Sequence, residues 1–86
     1  MTEELTDESL HPGPYYLTVK QARFLRRMAR YHAGQARLCR KYAEQAEIES
    51  VKSDYAVQTV FHKKCVEMIC RILCERRLER ELLRGH

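Results

Sequence analysis

The chain has 86 residues, with 16 Lys and Arg against 12 Asp and Glu for a formal charge of +4, and 44% of its residues are hydrophobic. That is one small domain, which excludes a large enzyme scaffold; a core of this size buries only ~60–65% of the surface the unfolded chain exposes, so a monomer gains from a partner. Three Gly, two Pro and no Trp are too few turn residues for a sandwich or barrel and point to an all-α chain.

The opening Met1-Thr2-Glu3-Glu4 has neither the basic nor the apolar region of a secretory signal. The densest apolar run, Cys65 to Cys74, is interrupted by Glu67 and Arg71 and falls short of the ~18 residues of a membrane span. The expectation is a cytoplasmic protein with no membrane partner. Cys39, Cys65, Cys70 and Cys74 are then thiols in a reducing compartment, read as small buried hydrophobes and not as disulfides.

Residues 1–17 carry Glu3, Glu4, Asp7 and Glu8 with no Lys or Arg, and end in the helix-breaking run His11-Pro12-Gly13-Pro14. They read as a flexible acidic arm, with Tyr15, Tyr16 and Leu17 as its docking point. Thr18 fits an N-cap, because Gln21 stands three residues on and completes a capping box. The remainder, 18–86, is expected to be a helical domain: helix one over about 18–48, a turn at about 49–53, and helix two over about 54–84.

Along helix one the spacing 3-4-3-4 selects Ala22, Leu25, Ala29, His32, Ala36, Cys39, Ala43 and Ala46, a seam of mostly small residues that lets another helix come close. Beside it run Phe24, Met28, Tyr31, Leu38 and Tyr42. The apolar surface is about twice as wide as one neighbouring helix covers.

Ser50, Ser53 and Asp54 favour caps and turns, so the chain is expected to reverse near Val51. Seam residues then oppose each other when their numbers sum to about 104, which sets small against large: Ala43 on Phe61, Ala36 on Met68, His32 on Ile72, with Cys39 on Cys65. Two layers fit poorly, Leu25 on Glu79 and Ala29 on Glu75. A second stripe of helix two, Val57, Val66, Ile69 and Leu73, is left outside. Its cover is expected to be a second copy, giving a homodimeric four-helix bundle, or a partner protein. Gly85 is placed to end helix two.

No chemistry-bearing motif stands out. His32, Cys39 and Cys65 come near one another in the expected pairing but lack a fourth ligand, so no metal and no cofactor is expected. There is no Gly-rich phosphate loop, and no pocket to serve a Cys or His nucleophile, so the chain is not read as an enzyme.

The most informative segment is 18–43, which holds Lys20, Arg23, Arg26, Arg27, Arg30, Arg37, Arg40 and Lys41 and no acid. Exposed helices ordinarily interleave both signs, and arginine forks suit phosphate. Tyr31 and Tyr42 add stacking groups among them. The eight cations are the candidate nucleic-acid or anion-binding residues. The opposing expectation is that the acidic arm 1–8, or Glu75, Glu79 and Glu81 of a partner subunit, neutralise them. The functional expectation is a small nucleic-acid-binding or transcription-associated accessory protein. The alternative is an adaptor or inhibitor that binds a protein through Val57, Val66, Ile69 and Leu73.

Overall fold

The computed structural model describes residues 15–84, and these form three helices: α1 (Val19–Gln45), α2 (Glu49–Leu73) and α3 (Arg76–Leu83). The acidic arm through Pro14 and the Gly85 stop lie outside the described residues.

Helix α1 starts where its sequence directs. The Thr18 hydroxyl accepts from the Gln21 amide at 3.0 Å, and the Gln21 side chain accepts from the Thr18 amide at 2.9 Å, which satisfies two backbone donors that no helical carbonyl reaches. Just before it Tyr15 and Tyr16 are exposed and Leu17 is half-buried. Three residues, Ala46 to Ile48, leave the helix, with Ala46 and Ile48 extended. The reversal thus falls before the expected turn, and Ser50, Ser53 and Asp54 belong to α2. Residues that favour turns also favour the first turns of a helix, where free amides and the dipole welcome Glu49.

α1 and α2 run in opposite directions side by side: Tyr42 stacks near Tyr55, Cys39 reaches Gln58, His32 meets His62, and Arg26 binds Glu75. Cys39 therefore faces a residue seven before Cys65, and the earlier reversal accounts for that offset. The core is Ala29 and Ala33 of α1 against Val66 and Cys70 of α2, all at most 1% exposed, with Ile69 packed on it. Ala22, Ala36, Cys39 and Leu73 are buried along the same seam.

The face of α2 that points inward differs from expectation. Val66 and Leu73 are fully buried within the chain and Ile69 is half-buried, whereas Phe61 and Met68, expected inside, are 58% and 61% exposed. Of the expected outer stripe only Val57 stays outside. The inner stripe is Thr59, His62, Val66, Ile69 and Leu73, one position along and about 100° around the helix. Alanines allow an axis separation near the lower end of the ~8–10 Å range, and compact Val66 and Cys70 fit that gap where Phe61 and Met68 would wedge it open.

α2 also ends early. Cys74 adopts a left-handed conformation (φ 56°, ψ 41°), its amide donates to the Arg71 carbonyl, and the Glu75 amide donates back to Cys70. This closes α2 with the 6→1 bond of a Schellman motif and turns the chain. α3 then packs Leu78, Leu82 and Leu83 against the cluster of Ala29, Ala33, Val66 and Cys70. That is the end where the expected pairing left glutamates against Leu25 and Ala29.

The Cα envelope measures 57 × 22 × 16 Å. α3 covers part of one broad side.

Neighbouring positions of α1 should respond oppositely to added volume. Gly34 has open space where a Cβ would stand, so Gly34→Ala should stabilise by up to about 1 kcal/mol. Ala33→Leu should cost about 1–3 kcal/mol by forcing α1, α2 and α3 apart. Urea unfolding followed by circular dichroism measures both. Cys74→Gly, which relieves the left-handed backbone, should raise stability by about 1 kcal/mol in the same assay.

Candidate functional site

Of the eight cations of α1, Lys20, Arg23, Arg27, Arg30, Arg37, Arg40 and Lys41 are exposed. Arg26, Arg37 and Arg40 make polar contacts within the chain. Arg26 is half-buried, its Nη2 2.8 Å from Glu75 Oε2 and its Nε 2.9 and 3.1 Å from the two carboxylate oxygens. Hydrogen bonding to Glu75 raises its pKa further, against a smaller effect of burial. Arg37 Nη2 donates to the Leu82 carbonyl at 3.3 Å, and Arg40 lies 3.8 Å from Glu44 one turn on. The neutralisation expected of Glu75 therefore occurs within the chain, at Arg26.

The turn at Cys74 has a second electrostatic result. α3 lies beside α1 through the Arg26 and Arg37 contacts and carries exposed Arg76, Arg77, Arg80 and Arg84. Arg77 pairs with Glu81 at 3.3 Å. These arginines were legible as charges but not as neighbours of α1, because nothing in the sequence marks Cys74 as a turn. Tyr31 and Tyr42, expected among the arginines, face elsewhere: Tyr31 borders the uncovered apolar side, and Tyr42 stacks with Tyr55 at 5.3 Å.

On the broad side away from α3, α1 leaves Phe24, Tyr31 and Leu38 38–55% exposed, and α2 leaves Phe61 and Met68 exposed. His32 joins the two helices there. Its Nδ1 lies 2.9 Å from His62 Nδ1, and its ring meets Phe61 edge-on at 6.4 Å. One imidazole must donate and the other accept, so the bond needs at least one neutral ring. Burial, and then the neighbouring His62, hold the His32 pKa below its ordinary value.

Cys39 donates to Gln58 Oε1 at 3.7 Å and does not join His32 and Cys65. Among the described residues no three His, Cys, Asp or Glu side chains converge as a metal site. The Cys70 thiol is pushed up to about 11 by burial and then by Glu79 and Glu75, which leaves it protonated and a poor nucleophile near neutral pH. A shallow depression of about 530 Å³ is lined by Cys74, Glu75, Arg76, Arg77, Leu78 and Glu81. No helix is long and apolar enough to cross a membrane, among the described residues.

The chain matches no protein-family model, no curated protein and no solved structure.

The histidine pair makes stability depend on pH. The His32 value is depressed in the fold from an unfolded 6.5, so the unfolded chain takes up the proton first as pH falls. The stabilisation is complete above the unfolded value and is lost as pH drops through the lower folded one. The melting temperature should fall between about pH 7.5 and pH 5, and the fall should be smaller in His32→Gln. Equal slopes in the two proteins would remove His32 as the cause.

Proposed function

We propose that the chain is a small non-enzymatic accessory protein that binds nucleic acid through phosphate contacts, using the exposed cations Lys20, Arg23, Arg27, Arg30 and Lys41 of α1. The observation that carries this reading is the exposure of those five side chains on a segment, 18–43, without a single acid. Charge on a rigid helix is already positioned, so contact with a polyanion need not order the backbone, and release of condensed counterions drives binding. Arg26 and Arg37 support the surface by holding α3 in place. Contacts of this kind fix position and carry no base preference, which suits an accessory role.

A second reading keeps the class of protein-interaction module. It is favoured by the exposed Phe24, Tyr31, Phe61 and Met68, and it transfers the docking surface from Val66, Ile69 and Leu73 to this side. A different protein would then be the ligand, recognised by apolar contact.

Charge reversal separates the readings. Arg23→Glu, Arg27→Glu and Arg30→Glu together should abolish a gel shift of short duplex DNA at low salt and flatten the plot of log K against log salt by roughly 3, at about 0.9 per phosphate lost. Helicity should be unchanged. An unaltered salt slope would count against the phosphate reading and leave the second.

A further inference from the structure

We infer that the uncovered broad side of the α1–α2 pair, with Phe24, Tyr31, Leu38, Phe61 and Met68 on it, is closed by a second copy of this chain packed face to face. The inference does not depend on the phosphate reading.

Layering comes first. α1 and α2 lie side by side as one layer, whereas a stable core needs two layers. α3 supplies a partial second layer on one side, where Leu78, Leu82 and Leu83 pack on the Ala29, Ala33, Val66 and Cys70 cluster. The other side has no counterpart among the described residues.

Area is the second consideration. The five large side chains are 38–61% exposed. At roughly 200 Å² for a fully open side chain of this size they present about 500–600 Å², about two thirds of the ~800 Å² that each partner contributes to a standard interface. The half-buried Met28, His32, Cys65 and Ile72 lie between them.

Pattern and charge choose the occupant. On α1, Phe24, Met28, Tyr31, Gln35, Leu38 and Tyr42 follow 4-3-4-3-4 spacing; on α2, Phe61, Cys65, Met68 and Ile72 follow 4-3-4. Each is a heptad seam that accepts one more helix alongside, and the two run antiparallel. A second copy brings two antiparallel helices bearing the same seams, and a two-fold axis matches them reciprocally. No charged residue belongs to either seam, so the face carries no charge code for a distinct partner. Arg23 and Arg30 point toward the α3 side, with Lys20 and Arg27 at the rim by helical phase, so the like charges of two copies are not forced together.

Light scattering coupled to size exclusion, run from low to high micromolar concentration, tests this. Wild type should approach twice the 10.3 kDa chain mass. Phe61→Asp and Met68→Glu, made separately, should each weaken the dimer at least tenfold while keeping the helical circular dichroism, since both side chains are already exposed in the single chain. Arg30→Glu should leave the dimer intact, and salt that abolishes duplex binding should not dissociate it. Wild type remaining at the single-chain mass would overturn the inference. So would undiminished dimerisation in both variants, or a monomer that pairs only with a different protein across this face.

Discussion

The close approach of α1 and α2 along Ala29 and Ala33 is the constraint on which the remaining structure rests. With both alanines at 0% exposure in a cluster with Val66 and Cys70, the helices pack without a bulky α1 side chain between them, which is where dispersion contacts accumulate. Bulky residues are displaced outward as a result. The same spacing that buries Val66 places Phe61 and Met68 on the surface.

From that approach the two broad sides acquire different characters. One receives α3, a half-buried ion pair between Arg26 and Glu75, and an arginine bonded to a helix-end carbonyl. The other carries aromatic and aliphatic side chains around the imidazole pair. α1 serves both, because its cations and its large apolar residues occupy adjoining arcs of one helix. A cationic surface and an exposed apolar side can therefore coexist on a chain of 86 residues.

The all-α class, the Thr18–Gln21 box, the alanine seam and the excess width of the apolar surface were legible in the sequence, since each rests on local spacing. The rotation of α2 was not. Its two stripes, Phe61-Cys65-Met68-Ile72 and Val66-Ile69-Leu73, are nearly equal in hydrophobicity, and only side-chain bulk against a close backbone separates them. The break at Cys74 lacked a signal too, because a cysteine in left-handed geometry replaces the usual glycine. Its trace was indirect: glutamates fell opposite Leu25 and Ala29, a misfit that a straight helix two could not remove. The cations were legible as a set, but which of them α3 engages followed only from the fold.

The hinge at Cys74 sets an order of events within the native ensemble. α3 has eight residues, fewer than the ~12–15 a helix needs to persist unaided, so it is held by its leucines and by Glu75 and forms the weakest cooperative unit. Cys70, at 1% exposure, belongs to the cluster against which Leu78, Leu82 and Leu83 pack, so the shortest helix is also the lid over a thiol. Loss of α3 alone would bare that sulfur with the α1–α2 seam still closed.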